Sequence, residues 1–320
     1  MSPRTPFRQR KTPGEPTPVV VSEELFAPIS ADIELCYQTF GDPDDEPLLL
    51  VMGLGGPMIW WNPELCEQLA QAGFFVIRYD NRDTGRSSRA KGRVTRQLLV
   101  RAFLGRPVRA PYTVADLADD GFALLDHLGI GSAHLTGVSM GGMVVQTMAI
   151  AHPERVRSLV SIMSTTGRRT VGWTDPTLMP RLLAPRPPDR ASYVTQSRVT
   201  WEAIGSPDYP EEPERTAERA GDTYDRGVSG AGVLRQMLAV LTQPNRTRAL
   251  HGVTVPTLVL HGDSDRMVHV SGGRATAAAV PGAELVLVSG MGHDLPRALF
   301  GTFVGAIRRT ADRAPGTAAH

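Results

Sequence analysis

The sequence predicts an α/β protein with a mostly parallel eight-stranded sheet, helices on both faces and a helical lid inserted late in the chain. Three observations predict it. The apolar run Leu48 to Met52 is continuous rather than alternating, the mark of a strand buried on both faces of a parallel sheet, and Phe74 to Tyr79 and Pro256 to His261 read as further strands of the core. Segments with helical spacing separate them, as a doubly covered sheet requires. That rhythm stops between about Gly167 and Leu250, where prolines and helical patches replace the strands.

Met1 to Pro18 is basic and proline-rich without an apolar h-region, so a disordered tail is expected rather than a signal peptide. Glu23 to Ile29 and Ile33 to Phe40 read as two strands joined by a turn at Ser30, which starts the sheet antiparallel. The strand Leu48 to Met52 ends in Gly53-Leu54-Gly55-Gly56. Pro63 to Ala72 has helical spacing, and Phe74 to Tyr79 is the next strand. Residues 88 to 111 interleave arginines with Val94, Leu98, Leu99, Phe103 and Leu104, the pattern of a short basic amphipathic helix in a long connection. Thr113 and Asp116 form a capping box for the following helix. Ala133 to Gly137 is a strand that reverses into the helix Met140 to Ala149, and Ser158 to Met163 is another strand. Three helical patches follow, Tyr193 to Ile204, Arg215 to Tyr224 and Ala231 to Leu241. The core resumes with Pro256 to His261, a helix from Arg274 to Val280, the strand Glu284 to Val288 and a closing helix from Pro296 to about Arg313. The expected division is tail 1–18, core 19–167, lid 168–249, core 250–314 and tail 315–320.

Composition bounds the function. At 320 residues, with 41% hydrophobic and 21% charged residues, the chain can bury a large core. Lys+Arg 34 against Asp+Glu 33 leaves a net charge of +1, so no global field recruits nucleic acid or a membrane. No run approaches the roughly 18 apolar residues of a bilayer span, and a cytoplasmic location is expected. The two cysteines, Cys36 and Cys66, read as buried free thiols, without histidines at metal-ligand spacing. Neither metal nor cofactor is expected.

The chemistry centres on Gly137-Val138-Ser139-Met140-Gly141. A serine at a strand-to-helix reversal stands on a turn so tight that the positions two before and two after it have little room for side chains. The loops after the last two strands hold Gly262-Asp263-Ser264-Asp265 and Gly290-Met291-Gly292-His293. Functional groups of open α/β sheets gather beyond the C-terminal strand ends. Ser139, Asp265 and His293 therefore meet the needs of nucleophilic catalysis: an imidazole takes the proton of a weakly nucleophilic hydroxyl, and a carboxylate fixes the imidazole tautomer. The N–H groups of Leu54 and Met140 are the candidate oxyanion donors.

Asp263 competes with Asp265 for the acid; Asp265 is preferred because it lies deeper in the loop, and Asp263 is read as holding the loop together. The other histidines, His261 among them, suit surface or hydrogen-bonded structural places. Asp80, Arg82 and Asp83 read as a structural charge network. Met52, Met58, Trp60 and Trp61 are candidates for an apolar substrate pocket, with core packing claiming some of them. The basic stretch 88–109 is most simply a solvated connection; its sharper reading is a surface for phosphates of a thioester carrier or for anionic lipid.

Over nearly the whole chain after the tail, these residues resemble the α/β-hydrolase superfamily. More narrowly, Val51-Met52-Gly53, the run Arg78 to Ser87, the Gly137 to Gly141 elbow and Gly290-Met291-Gly292-His293 look like aclacinomycin methylesterase and its bacterial esterase relatives. The resemblance implies the α/β-hydrolase fold, with Ser139 as nucleophile, His293 as base, Asp265 as acid and Leu54 with Met140 at the oxyanion. The common superfamily pattern has His-Gly where this chain has Met52-Gly53, a Met the methylesterase group shares. The lid carries no motif that transfers a substrate.

A serine at the elbow sets aside the aspartate-nucleophile dehalogenases and epoxide hydrolases of this fold. Hydrolysis of a small-molecule carboxylic ester through an acyl-enzyme is the first expectation. Thioester or lipid ester hydrolysis is second, and perhydrolase or C–C bond hydrolase chemistry remains open on the same residues. A non-catalytic ligand-binding protein is the reading from another class.

Overall fold

In a computed structural model the described residues are 18–178, 180, 187 and 189–315. The expected tails fall outside them except for Pro18 and Pro315. Eight strands form one sheet: β1 (Leu25–Pro28), β2 (Glu34–Phe40), β3 (Glu46–Val51), β4 (Phe74–Tyr79), β5 (Ala133–Val138), β6 (Val156–Ile162), β7 (Thr257–Gly262) and β8 (Glu284–Val288). Their order is β1-β2-β4-β3-β5-β6-β7-β8. The pairs β1 with β2 and β2 with β4 are antiparallel, and every other pairing is parallel.

The continuous apolar run has the cause the sequence suggested. Along β3, Leu49 and Val51 face one core cluster and Leu48 and Leu50 the other; along β4, Ile77 and Tyr79 oppose Phe74 and Val76 in the same way. Each face needs its own helical cover. Helices α3 (Val114–His127) and α4 (Met140–Ala151) contribute Leu117, Leu124, Val144 and Met148 to the first cluster. On the other face, α1 (Pro63–Gln71) contributes Leu65 and Leu69, and the closing helix Phe300–Ala311 contributes Phe303 and Ile307. Burying one such side chain stabilises the fold by roughly 1.5–3 kcal/mol. The capping box of α3 is complete, with the Thr113 hydroxyl accepting from Asp116 N–H and the Asp116 carboxylate accepting from Thr113 N–H. Both cysteines are free and buried, and burial pushes each thiol up to about 12.

Register places the loops. Val51 lies opposite Gly137, Val138 opposite Ile162, Ile162 opposite Leu260 and Gly262 opposite Val288. The turn after β3, the elbow after β5 and the loops after β7 and β8 therefore emerge at one edge of the sheet.

Between β6 and β7 come the helices α5 (Arg190–Ile204), α6 (Pro213–Asp225) and α7 (Gly230–Thr242). They are joined to the core by buried charge. Arg226, just after α6, contacts Asp80 at 2.8 Å, and Arg235 on α7 holds Asp83 through two N–H···O bonds of 2.6 and 2.7 Å. Asp80 also accepts from Met58 N–H and Arg86 N–H, and Asp83 from Tyr112 OH and Ala90 N–H. The charged turn 80–83 is thus a structural network, as its residues suggested, with partners from the core, including Asp120 for Arg82, and from the segment between β6 and β7.

Candidate active site

Ser139 ends β5 at φ 56° and ψ −118°, in the left-handed region that a non-glycine residue rarely occupies. Its neighbours leave it no alternative. A Cβ on Gly137 would fall 2.2 Å from Gly141 O, and one on Gly141 would fall 2.0 Å from Val51 O. The elbow is locked from below as well: Ser139 N–H donates to Ile162 O at 2.9 Å, and the Ser164 hydroxyl donates to Ser139 O at 2.7 Å. The Ser139 side chain is left half-buried above the sheet edge.

Three loops converge on it. His293 Nε2 lies 3.1 Å from Ser139 Oγ, and His293 Nδ1 lies 2.7 Å from Asp265 Oδ2. An ionised carboxylate only accepts, so Nδ1 carries the proton and bare Nε2 faces the hydroxyl. The other oxygen, Asp265 Oδ1, accepts from Met267 N–H and Val268 N–H, both at 2.8 Å. Burial alone would raise the Asp265 pKa; the charge of His293 and hydrogen bonds from His261 and His293 outweigh it and hold the carboxyl well below its usual range. Asp263 instead accepts from Gly290 N–H at 2.8 Å, tying the acid loop to the histidine loop.

The structure adds a group that residue type alone did not single out. His261, fully buried at the end of β7, points Nε2 at Val268 O (2.8 Å) and at Asp265 Oδ2 (3.3 Å). Its signal was the spacing His261-Gly-Asp-Ser-Asp265, which bends the loop back over its own strand.

The Met52 to Gly56 turn lies against the nucleophile: a Cβ on Gly53 would meet Ser139 Cβ at 3.2 Å. Three long-range bonds orient it. Asn81 Nδ2 donates to Met52 O at 3.0 Å, Met58 N–H donates to Asp80, and Gly55 N–H donates to Gln236 Oε1 at 2.7 Å. Gln236, fully buried on α7, is itself fixed by donating to Arg82 O and Thr84 Oγ1, both at 2.9 Å. Met140 is the first residue of α4, so its N–H has no partner within the helix and sits at the positive dipole end.

The four pocket candidates differ in exposure. Met58 and Trp61 are fully buried, Trp61 in the same core cluster as Leu65 and Phe303. Strand-end apolar residues look alike in sequence whether they face a cleft or a core. Met52 is nearly enclosed; Trp60 and Leu54 are half-buried. Trp60 donates its indole N–H to Thr223 Oγ1 at 2.9 Å and meets the Trp201 ring edge-on at 5.2 Å, which ties it to the lid. A concavity of about 870 Å³ runs along α5 past Thr195 and Val199 to Thr177, and neither Ser139 nor His293 lines it. The converging loops, not that hollow, mark the site.

Residues 46–296 match the family described as the alpha/beta hydrolase fold. The chain belongs to the α/β-hydrolase family. Among relatives in this family, it is 29% identical over 297 residues to rhodomycin D methylesterase DauP of Streptomyces sp. (strain C5), covering 86% of this chain and 94% of that protein. It is 27% identical over 246 residues to 3-oxoadipate enol-lactonase 2 of Acinetobacter baylyi, covering 76% and 80% of the two chains. The fold is shared with the crystal structure of the enol-lactonase from Burkholderia xenovorans LB400, at a TM-score of 0.71 and 21% identity over 90% of this chain and all of that one. No helix among the described residues is long and apolar enough to cross a membrane, and no group of three or more His, Cys, Asp or Glu residues among them could hold a metal ion.

Proposed function

We propose that this α/β-hydrolase cleaves carboxylic esters of small molecules through an acyl-enzyme formed on Ser139. The observation that carries the reading is the unbroken line from Asp265 through His293 to Ser139, at 2.7 and 3.1 Å. Relatives named as a methylesterase and an enol-lactonase, matched over 86% and 76% of this chain, support the same bond type.

Each residue has one task. Ser139 Oγ attacks the ester carbonyl carbon while its proton passes to His293 Nε2. The carbonyl oxygen becomes an oxyanion that Leu54 N–H and Met140 N–H receive; one such donor contributes about 3–4 kcal/mol in comparable sites. The imidazolium, stabilised by Asp265, protonates the departing alcohol oxygen, leaving the acyl group on Ser139. Water then gives a proton to His293 Nε2 as its oxygen bonds to the acyl carbon; the bond from that carbon to Ser139 Oγ breaks, His293 returns the proton to Oγ, and the acid leaves. Acyl thioesters or lipid esters are the second reading, favoured by the run of exposed arginines between Arg93 and Arg109.

The test is stoichiometric labelling with a fluorophosphonate, read by intact mass, with turnover measured on an ester panel. Wild type gains one label and turns over many equivalents, whereas Ser139→Ala gains none. A folded wild type that takes no label and releases at most one equivalent of product would return the chain to the class of ligand-binding proteins.

A further inference from the structure

No acidic residue stands between Asp83 and Asp116, a span that holds Arg86, Arg89, Lys91, Arg93, Arg96, Arg101, Arg106 and Arg109. Arg86 and Lys91, near its start, pair with Glu24 and Asp32. Arg93, Arg96, Arg101, Arg106 and Arg109 are exposed, and no carboxylate among the described residues pairs with them. In their midst lies α2 (Arg96–Phe103), whose apolar residues point both ways. Leu99 and Ala102 pack with Val94 against Leu238 of α7, while Val100, Phe103 and Leu104 are 57%, 58% and 65% exposed.

That exposure is built in rather than frayed. Thr95 caps the helix start, accepting from Leu98 N–H. Arg169, from beyond β6, donates to Ala102 O and Phe103 O and holds the last turn. Fixed at both ends and along its inner face, α2 cannot rotate to bury Phe103 and Leu104. Three exposed apolar side chains, in a segment whose arginines have no carboxylate partner among the described residues, match the two layers of a membrane surface. Acyl chains take the apolar tip and phosphates take the guanidinium groups.

We propose that α2 and its flanking arginines dock this hydrolase reversibly onto an anionic lipid bilayer, without spanning it. Exposed apolar side chains together with uncompensated positive charge favour an anionic lipid surface over a protein partner. The inference goes beyond the ester-hydrolase reading, and its test does not depend on catalysis.

The full chain is sedimented with vesicles of phosphatidylglycerol and phosphatidylcholine, and with vesicles of phosphatidylcholine alone, at low and high salt. Wild type is expected to bind the anionic vesicles, weakly or not at all the neutral ones, and to be released by salt. The pair Arg96→Gln and Arg101→Gln should weaken partitioning roughly thirtyfold, as expected for two arginines beside an anionic surface. Phe103→Ser with Leu104→Ser should weaken it about tenfold or more even at low salt. Both doubles should keep the wild-type melting temperature and hydrolysis of a short water-soluble ester. Equal binding to neutral and anionic vesicles, or none by a folded wild type, overturns the proposal. So does a dimer in solution that Phe103→Ser with Leu104→Ser dissolves, or saturable binding to an acidic carrier protein in place of vesicles.

Discussion

His261 Nε2 lies 3.3 Å from Asp265 Oδ2, the same carboxylate oxygen that faces His293 Nδ1. The acid thus stands between two imidazoles, one toward the nucleophile and one sealed in the core. Its second partner lowers the basicity of Asp265, and with it the grip of Asp265 on the His293 proton.

Replacing His261 tests that relationship. His261→Leu removes the donor at similar volume and should lower kcat/KM by roughly 10- to 100-fold, the value of a hydrogen bond to a charged group. A more basic Asp265 holds the His293 proton more tightly, so the acid limb of the pH–rate profile should move to higher pH. His261→Gln, which can still donate, should restore most of the activity. An unchanged profile in the Leu variant would reduce His261 to a packing residue.

For the three converging side chains, Ser139→Ala and His293→Ala should each lower turnover by about four orders of magnitude or more while leaving the melting temperature near wild type. Asp265→Asn should lose a comparable amount because it disturbs the His293 tautomer. Asp263→Asn should lose no more than about tenfold, since its carboxylate faces Gly290 N–H. A reversed order of the two aspartates would move the acid to Asp263.

Gln236 ties α7 to the turn that carries Leu54 N–H, the proposed oxyanion donor. Gln236→Leu keeps the size but leaves Gly55 N–H without its acceptor, so Leu54 N–H loses its fixed direction. The expectation is a fall in kcat of roughly 10- to 100-fold with little change in KM. A rise in KM at constant kcat would assign Gln236 to substrate binding instead.

Stability should depend on His134. Burial depresses its pKa from the ordinary 6.5 to about 4, and Ser158 Oγ lies 2.8 Å from its Nδ1. Between pH 4 and 6.5 the unfolded chain binds the proton that the folded chain refuses. The stabilisation is therefore complete above the unfolded value and drains away as the pH falls toward the folded one. Chemical denaturation from pH 7 to pH 4 should show a loss on the order of 2 kcal/mol from this group, and His134→Gln should flatten that slope. A slope identical in the two proteins would place the acid sensitivity elsewhere.

Much of this arrangement was legible before any coordinates, and the reason is local. A continuous apolar run announced β3 because a strand covered on both faces has no solvent side to mark with polar residues. The elbow announced itself because Gly137 and Gly141 meet backbone within one turn of chain, a steric demand carried by the motif itself. Once the strands were parallel, the chain order Ser139, Asp265, His293 required the three loops to share an edge. Some boundaries moved: β1 is Leu25–Pro28 rather than Glu23 to Ile29, and the closing helix begins at Phe300 after a short 3-10 turn rather than at Pro296.

What stayed hidden depended on partners far along the chain. That Trp61 joins the core while Trp60 reaches the lid follows from Thr223 and Trp201, which no periodicity links to residue 60. Gln236 holds Gly55 across 181 residues, and Arg226 holds Asp80 across 146. By itself the sequence determined the α/β layering, the strained serine and the three loops, because these rest on side-chain period and close steric contact. Only the tertiary structure decided that His261 stands behind Asp265, that Gln236 holds the turn after β3 and that α2 turns Phe103 and Leu104 outward. Those outcomes arise where separately folded segments meet, and a hydrogen bond or a buried charge pair chooses its partner by position in space.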